Sequence, residues 1–377
     1  MKNILFLIIL IASVLFFSCR QDVDQSTVVK LDATQSEKLV AGKVQKIIQL
    51  ETTESSLLNS VSNVYIDSQN ECIFILSDFN IYVFNTQGEF IRKLTKGKGP
   101  NEVQMVIAID VDPESKRLYV LDLAHTICIF NYAGEKLENR KLENFYSLDI
   151  HLLKDGNLFL YRNYVGESEK YFTGIYNFEE NKVSRKFIHA DESPYSIFCI
   201  GNANSFMQTD DQVYFYSSNL FGLYRFESDS FQKVISYDHG KRTVPESFLA
   251  KYVESRRRSA FHRDAKDAGY VPYLRRTFKF NGYYFVIIDD DKYSCYAIDE
   301  QKRNEVFMNG QLPSYFNLPE FESLRTPAGI QDDLMILSCA PLDFFENGIE
   351  EKTKQVELGG EKLEVNYDDN PILVLVK

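Results

Sequence analysis

The chain has 377 residues, 44% of them hydrophobic and 25% charged, which is the composition of a soluble globular protein with one large domain or two smaller ones. Its 54 acidic side chains outnumber 42 Lys and Arg, and the net charge of −12 argues against a dedicated nucleic-acid-binding protein or one held to an anionic membrane by basic patches. Aromatic residues make up 14%, with 29 Phe, 23 Tyr and no Trp, and this balance favours β structure over a helical bundle.

The first nineteen residues predict a lipoprotein signal peptide. Lys2 supplies the positive start, residues 4–17 are almost entirely apolar, and Ser18 precedes Cys19. An apolar run of about 14 residues is shorter than the roughly 20 that span a bilayer, so a signal sequence is favoured over a transmembrane anchor. The segment resembles a bacterial lipobox, in which residues 1–18 are removed and Cys19 becomes the acylated N-terminus, although bulky Phe residues stand where smaller ones are usual.

The residues after this cysteine predict the location and a spacer. Arg20, rather than Asp, follows Cys19, so the inner-membrane retention signal of enteric bacteria is absent. The expected location is the outer membrane, facing the periplasm or the cell surface. Residues 19–42 are mostly polar without a sustained apolar period and are interpreted as the lipidated cysteine and a flexible tether. The folded part is expected to start near Lys43.

The remaining cysteines predict free thiols rather than a disulfide framework. They are widely spaced, without a Cys-x-x-Cys pair, and comprise Cys72, Cys128, Cys199, Cys295 and Cys339. Several lie inside apolar strand-like runs, where cysteine behaves as a small hydrophobic residue. The sequence contains no cluster of Cys and His of the kind that a zinc site needs, and no cofactor is expected.

A repeat of 46 residues runs through the chain. The segment IYVFNTQGE at residues 81–89 returns as ICIFNYAGE at residues 127–135, with five of nine positions identical. After a further 46 residues, IYN at 175–177 repeats the end of the same apolar run before a polar turn. A period of this length predicts a repeat architecture rather than a duplicated enzyme core.

Each period contains several short apolar runs separated by turn residues. The predicted strands of the first two periods are 61–66, 72–76, 81–84, 89–94, 106–111, 117–121, 126–130 and 136–141. Runs such as residues 73–76 are apolar on both faces, so the sheets must be covered from both sides. Four-stranded antiparallel sheets stacked face to face around a central axis, as in a β-propeller, meet this requirement.

Continuing the count predicts six blades. The further strands are 157–161, 173–176, 213–216, 222–226, 277–280, 283–289, 293–299, 334–338 and 372–376. The last blade lacks an outer strand, which residues 43–50 are expected to supply so that the ring closes without open edges. Seven or eight blades are disfavoured by length. The predicted fold is therefore all-β, a six-bladed β-propeller of four-stranded antiparallel blades over residues 43–377.

Several motifs resemble known propellers. RLYVLD at 117–122, followed by ICIFN and a Gly-Glu turn, resembles an NHL-type blade. More closely, four segments resemble the six-bladed β-propeller lipoproteins of Bacteroidota: IQLET at 48–52, FNTQGE at 84–89, KGKGPNE at 96–102 and NPILVLV at 370–376. Asn101 stands where that family more often has Gly. No general activity is assigned to the family, so the resemblance implies fold and compartment rather than function.

Ligands of propellers usually bind where the loops before the inner strands and between the middle strands open around the channel. The candidate ligand-binding residues in these loops are Asp78, Asn80, Lys96, Lys98, Asn101, Asp122, His125, Arg162, Tyr164 and Asn219. Residues 96–102 are either a Gly-rich loop that offers backbone N–H groups and lysines to an anion or a turn that carries the chain across the blade. No strand-to-helix context supports a nucleotide-binding loop there.

An insertion at about residues 243–270, before the fifth blade, predicts an amphipathic helix. Thr243 and Glu246 have the spacing of a capping box, and apolar residues then recur at helical intervals. Lys and Arg exceed Asp and Glu in this segment, and Arg256, Arg257 and Arg258 are candidates for binding acidic sugars, phosphate or an acidic partner. The alternative is a solvated helix face on an element that serves packing.

No catalytic residue is predicted. The five histidines are far apart, and the sequence lacks H-E-x-x-H, G-x-S-x-G and Walker motifs. We expect a non-catalytic ligand-binding or protein-interaction module, anchored to the membrane by lipid, with a glycan, a peptide or an envelope protein as partner and with neither nucleic acid nor metal. The alternative is a metal-dependent hydrolase or lyase with its site at the channel mouth, as in some six-bladed propellers that the chain resembles.

Overall fold

The computed structural model describes residues 27–32, 34–35, 37–163, 169–196, 198, 204–253, 258–345 and 352–377. The predicted signal peptide of residues 1–18, with Cys19 and Arg20 after it, lies outside the described residues, and so do Tyr164, Cys199, Arg256 and Arg257. The structure is all-β in character, and its four-stranded antiparallel sheets are arranged like the blades of a propeller.

Two strands, β1 (Thr27–Lys30) and β2 (Val44–Gln49), precede the repeats. Val29 in β1 and Leu31 just after it are each only 3% exposed. The prediction that residues 19–42 form a flexible tether and that the fold starts near Lys43 is therefore wrong from Thr27 onward. The strand escapes a search for apolar runs because it is only four residues long and its two apolar residues, Val28 and Val29, stand between Thr27 and Lys30.

The first three repeats each form a separate four-stranded sheet. The first contains β3 (Asn63–Asp67), β4 (Cys72–Ser77), β5 (Asn80–Asn85) and β6 (Phe90–Lys93). The second contains β7 (Val106–Asp112), β8 (Arg117–Asp122), β9 (Thr126–Asn131) and β10 (Lys136–Lys141), and the third contains β11 (Asp149–Leu152), β12 (Leu158–Tyr161), β13 (Tyr171–Asn177) and β14 (Lys182–His189). Strand order follows chain order in each sheet.

The fourth and fifth repeats are separated by two helices. The fourth contains β15 (Phe206–Thr209), β16 (Gln212–Tyr216), β17 (Gly222–Glu227) and β18 (Ser230–Asp238), and β1 pairs with β18 in parallel. Then follow α1 (Glu246–Val253) and α2 (Phe261–Asp267). The fifth repeat contains β19 (Leu274–Phe280), β20 (Tyr283–Ile288), β21 (Cys295–Asp299) and β22 (Val306–Gly310).

The insertion forms two short helices where the sequence pattern predicts one. Tyr252 of α1 contacts Phe261 of α2 with ring centroids 5.5 Å apart, and Phe198 stacks on Phe261 at 4.1 Å. Leu249 and Ala265 complete this small apolar cluster. Two helices that fold against each other bury these residues around Phe198, whereas one straight helix would spread them along its length.

The last repeat closes on the start of the chain. It contains β23 (Gly329–Gln331), β24 (Leu334–Cys339) and β27 (Ile372–Val376), with the separate hairpin of β25 (Thr353–Leu358) and β26 (Glu361–Asn366) inserted before β27. Antiparallel pairing joins β24 to β27 and β27 to β2. Residues 43–50 therefore supply the outer strand beside the C-terminal strand, as predicted.

Four of the predicted six blades are separate four-stranded sheets. The strands of the fourth and last repeats, with β1 and β2, form a single nine-stranded sheet instead of two separate blades. The link between the two halves is one parallel residue pair, Gln208 with Gln331, and the backbone N–H of Asp332 donates to the carbonyl of Gln208 at 3.0 Å. The sequence pattern gives no sign of this link because both strands are short and polar at the point where they meet.

The first strands of the repeats enclose a central channel. In turn, β3 contacts β7, β7 contacts β11, β11 contacts β15, β15 contacts β23, and β23 contacts β3. β19 packs against β15, β16 and β17. Apolar clusters fill the spaces between successive sheets. Among the described cysteines, all are free, and Cys128, Cys295 and Cys339 are buried, as predicted.

In the part of the chain that the structure describes, no helix is long and apolar enough to cross a membrane.

Candidate ligand-binding channel

The channel contains two cavities. We call the end that carries the turns between first and second strands the lower end, and the opposite end the upper end. The lower cavity has a volume of about 770 Å³ and includes Glu114 and Lys154 from those turns. The upper cavity has a volume of about 470 Å³ and includes Ser62, which precedes β3. Asn204 and Arg276 line both cavities, so the two meet inside the ring.

Asp110 of β7 and His151 of β11 form a polar pair in the wall of the lower cavity. Nδ1 of His151 lies 3.0 Å from Oδ2 of Asp110. The same oxygen accepts the backbone N–H of Leu152 at 2.6 Å, and Oδ1 accepts that of Val111 at 2.8 Å. Nε2 of His151 has no partner among the described residues. The carboxylate therefore joins the first strands of two neighbouring sheets.

Asp149 is a fully buried carboxylate beside this pair. Its Oδ2 accepts the backbone N–H groups of Ser205 at 2.5 Å and Phe206 at 3.4 Å, and Oδ1 accepts that of Ile150 at 3.0 Å. Burial raises the pKa of Asp149 to about 6 because it penalises the charged form more than these hydrogen bonds favour it. The side chain fixes the start of β15 to β11.

Gln331 and Tyr65 form another part of the lower cavity wall. The side chain of Gln331 accepts the backbone N–H of Ile66 at 2.8 Å and donates to the carbonyl of Ile66 at 3.2 Å, which joins β23 to β3. Burial and the nearby carboxylates of Asp110 and Asp67 raise the pKa of Tyr65, so its phenol stays protonated. This region offers a neutral hydroxyl to a ligand.

The upper cavity is bounded by polar side chains on several strands. Nδ2 of Asn204 donates to the carbonyls of Ser62 at 2.9 Å and Ala328 at 3.2 Å, which holds the entries of three first strands together. Arg276 in β19 is 5% exposed, its guanidinium carbon lies 5.9 Å from the ring centre of Tyr216, and its Nε has no partner among the described residues. A buried donor of this kind is available to a ligand.

The described channel residues do not fit a metal ion. No three His, Cys, Asp or Glu side chains group as ligands within the described ranges. In addition, Asp110 and Asp149 both use their oxygens to accept backbone N–H groups, so that metal coordination would break strand contacts.

The Gly-rich loop at residues 96–102 closes on itself. Oε2 of Glu102 accepts the backbone N–H of Gly99 at 2.6 Å, and Oδ1 of Asn101 accepts that of Lys136 at 3.2 Å. The side chains of Lys96 and Lys98 are exposed. The N–H group of Gly99, which the sequence analysis predicted as a donor to an anion, therefore already donates to Glu102.

The other predicted site residues lie away from both cavities. In the turns, Asp78 accepts a hydrogen bond from Ser60 at 3.0 Å and Asn80 donates to the carbonyl of Asp78 at 2.7 Å. Oδ1 of Asp122 accepts the backbone N–H of Thr126 at 2.9 Å. These short polar side chains therefore stabilise the turns in which they stand.

Larger predicted residues pack against the loops at the upper end. His125 contacts the ring of Tyr146 at 4.7 Å, and burial lowers the pKa of His125. Three more residues complete this set: Arg162 lies over the ring of Phe145 at 5.4 Å, Asn219 donates to the carbonyl of Phe198 at 2.7 Å, and Arg258 donates to the carbonyl of Val253 at 2.7 Å. None of the described candidates lines the upper or the lower cavity.

The charged channel residues that sequence reasoning missed lie within strands rather than loops. Asp110 interrupts an apolar run that was predicted as a strand, and Arg276 precedes the predicted strand at 277–280. Asp149 and His151 belong to β11, which was not predicted at all. A charged residue inside an otherwise apolar strand is the signal that points to the channel, because burying such a group is costly unless it has a partner.

One solved structure is similar to the chain in fold over nearly its whole length, and others match with low scores. A protein of Bacteroides fragilis described as exported has a TM-score of 0.71 and 18% identity, covering 93% of this chain and 99% of that one. Hydrazine synthase of Kuenenia stuttgartiensis has a TM-score of 0.41 and 8% identity over 69% of each chain. The extracellular domain of a hybrid two-component system of B. thetaiotaomicron has a TM-score of 0.43 and 13% identity, covering 66% of this chain and 29% of that one.

A family model described as a domain of unknown function, DUF4934, matches residues 29–377. The match starts inside β1 and ends with the C-terminal residue, so it includes every sheet described above. No curated protein matches the chain.

Proposed function

The chain belongs to the DUF4934 family of domains of unknown function, so its role has to be argued from its own residues, and we propose that it is a ligand-binding protein of the cell envelope. In this proposal it is a non-catalytic module that takes a glycan, a peptide or a segment of an envelope protein. The observation that supports this most directly is the pair of cavities that meet at Asn204 and Arg276 inside the ring of first strands. Concave sites lined by a few well-placed polar groups are typical of ligand binding.

The chemistry of the channel favours binding over catalysis. The carboxylates of Asp110 and Asp149 are committed to backbone N–H groups, which makes them structural acceptors rather than groups free to transfer protons. The buried guanidinium of Arg276, whose Nε has no partner among the described residues, remains to orient a bound molecule. Orientation by fixed donors is what a binding module requires.

We also propose a six-bladed ring. The nine-stranded sheet consists of two halves, each with four strands in antiparallel order, and the strand pairing between the halves is the single parallel pair of Gln208 and Gln331 among the described residues. Treating the halves as two blades, with β1 as an additional edge strand, gives six blades with the four separate sheets.

The proposed location is the outer membrane of a member of the Bacteroidota, through a lipid on Cys19. The sequence of residues 1–19 supports it, and the B. fragilis protein of similar fold is described as exported. Four large apolar side chains in loops on the upper side are each nearly half exposed or more: Leu57 (48%), Phe79 (49%), Leu123 (49%) and Tyr146 (63%). A surface of this kind supports contact with an envelope protein.

A ligand screen with a blocked cavity tests the proposal. Thermal shifts of the purified chain are measured against neutral and acidic oligosaccharides and against peptides. Thr326, which lines the upper cavity, is changed to Trp to fill it, and Thr95, which does not line either cavity, is changed to Trp as a matched control. We expect a ligand to raise the Tm of the wild type and of Thr95→Trp but not of Thr326→Trp. Binding that Thr326→Trp leaves intact would contradict a site in the upper cavity.

The alternative of a metal-dependent hydrolase or lyase has a separate test. Metal analysis of the purified chain, with and without EDTA, measures whether a metal copurifies and whether its removal lowers the Tm. A stoichiometric metal would favour the enzyme and contradict the binding module. Because the described channel residues offer no ligand set, we expect none.

A further inference from the structure

The upper cavity combines positive charge with hydroxyl groups. Arg275 and Arg276 contribute the charges. Hydroxyl groups come from Ser and Thr residues and from two tyrosines, among them Ser62, Tyr216, Ser218, Tyr273, Thr326 and Ser338. None of the described residues that line this cavity is Asp or Glu. In a chain with a net charge of −12, a cavity without a carboxylate and with two guanidinium groups is a distinct electrostatic environment.

Arg276 lacks the partner that a buried cation needs. It is 5% exposed, no carboxylate among the described residues lies within ion-pair distance of it, and its Nε is buried without a hydrogen bond. Asp149 attracts it from a greater distance, but that carboxylate already accepts three backbone N–H groups. Burying a charge without a partner costs several kcal/mol per ion, at order of magnitude, so such a group calls for an anion from outside the chain.

Lys279, on the same strand as Arg276, is a buried cation with carboxylate partners. Lys279 in β19 is 7% exposed, and its Nζ lies 2.8 Å from Asp210 and 2.6 Å from Glu300. Among the described residues, the fold thus provides two carboxylates within ion-pair distance to Lys279 and none to Arg276, three residues away. This contrast indicates that the guanidinium of Arg276 serves a ligand rather than the fold.

We propose that Arg276, with Arg275 beside it, binds the oxyanion group of a sugar acid or sugar phosphate in the upper cavity. A planar guanidinium presents paired N–H donors that match a carboxylate or a phosphate. Two of the surrounding hydroxyls already donate within the chain, Ser62 to the carbonyl of Leu76 and Tyr273 to the carboxylate of Asp289, and they keep the capacity to accept hydrogen bonds from the hydroxyl groups of a sugar. This inference rests on the proposed binding function and specifies the class of its ligand.

The test measures binding of defined probes to the full chain by calorimetry. The probes are trigalacturonate, glucose 6-phosphate and the neutral maltotriose, which separate carboxylate, phosphate and uncharged sugar. We expect an acidic probe to bind and maltotriose to bind at least about tenfold more weakly, since a hydrogen bond to a charged group contributes about 1.5–3 kcal/mol. Arg276→Met should weaken binding of the acidic probe by the same factor of about ten, and Arg276→Lys should weaken it to an intermediate degree.

The matched control is Lys279→Met, which removes a buried but paired cation from the same strand. It should lower the Tm and leave probe affinity unchanged, whereas Arg276→Met should keep or raise the Tm of the ligand-free chain, because an apolar side chain replaces an unpaired buried charge. Equal affinity of Arg276→Met and wild type for the acidic probe would overturn the inference. A Tm that is lowered as much in Arg276→Met as in Lys279→Met would also overturn the inference.

The outcome also separates this inference from the proposed function. If a neutral sugar or a peptide binds, with affinity lost in Thr326→Trp but unchanged in Arg276→Met, the anion site is wrong and the binding channel stands. If none of the acidic sugars, neutral sugars and peptides binds, both proposals are overturned.

Discussion

Nδ1 of His151 lies 3.0 Å from Oδ2 of Asp110 across the boundary between two sheets. Asp110 stands in β7 and also accepts the backbone N–H of Leu152 in β11, so one carboxylate contacts the neighbouring first strand twice. The ring of His151 stacks on Phe206 of β15, with centroids 6.0 Å apart and planes inclined by 23°. This chain of contacts couples three first strands around the lower cavity.

The coupling predicts that Asp110→Ala is more destabilising than His151→Phe. In Asp110→Ala, the N–H groups of Val111 and Leu152 lose their acceptor, which should lower the free energy of unfolding by about 2–4 kcal/mol for the two together. In His151→Phe, the aromatic contact with Phe206 is kept, and the free energy of unfolding should fall by only about 1 kcal/mol. Urea unfolding of both variants and of the double variant measures this. The double variant should be destabilised by less than the sum of the two single variants, because the two side chains contact each other. Strict additivity would contradict the coupling.

Asp149 predicts a pH dependence of stability. Burial raises its pKa in the folded chain from 3.8 to about 6, so between these pH values the folded state holds a proton that the unfolded state has lost. The free energy of unfolding therefore falls as the pH rises through this window, by about 3 kcal/mol in all, since one pKa unit corresponds to about 1.4 kcal/mol. Asp149→Asn, measured by urea unfolding from pH 4 to 7, should remove this slope. A slope unchanged from the wild type would contradict the assignment.

The buried side chain of His239 predicts a pH dependence of stability that is opposite in sign to that of Asp149. It is 7% exposed next to Phe221, and burial lowers its pKa from 6.5 to about 4. The unfolded chain takes up a proton at higher pH than the folded one, so this residue's contribution to stability is lost as the pH falls from about 6.5 to 4, by about 3 kcal/mol. His239→Phe should therefore make the protein relatively more stable at pH 5 than at pH 7.5, compared with the wild type. An identical pH profile for variant and wild type would refute this.

Strands with apolar runs and clear turns could be predicted from the sequence, and polar strands could not. The first two sheets were predicted strand by strand because runs such as residues 73–76 are buried on both faces. The strand β11 was missed because its four residues include Asp149 and His151, and β1 was missed because its two apolar residues stand between Thr27 and Lys30. Local pattern carries no information on the distant partners that make polar strands stable.

The candidate site was missed for a related reason. Sequence reasoning placed ligands in loops, where polar residues are visible, but most of those residues, such as Asp122, stabilise their own turns. Arg276 lies in a strand, and its proposed role rests on the absence, among the described residues, of a carboxylate within ion-pair distance, which no spacing in the sequence reveals. Lys279, with the same charge and a similar burial, would look equivalent in the sequence.

Cys19 predicts membrane attachment. If this cysteine is lipidated after removal of residues 1–18, Cys19→Ser should move the protein from the membrane fraction to the soluble fraction, because the acyl chains provide the anchor. Labelling of cells with a palmitate analogue, followed by fractionation, measures both effects. Cys72→Ser, at a half-buried free thiol, is the control and should keep the label. Label retained by Cys19→Ser would exclude lipidation at this position.

Gly88 and Gly134 occupy equivalent turns of the first two sheets. We expect replacement by Ala to lower the free energy of unfolding by different amounts at the two positions. Both have a positive φ, 93° and 85°, which L-residues rarely adopt. A Cβ on Gly88 would lie 2.1 Å from the carbonyl oxygen of Gln49 in β2, whereas on Gly134 the nearest atom is a methyl group of Leu94 at 3.3 Å. Gly134→Ala should therefore cost about 1 kcal/mol, and Gly88→Ala at least about twice that, since the closing strand must also shift. Urea unfolding compares the two variants, and equal costs would mean that β2 does not pack against this turn as described.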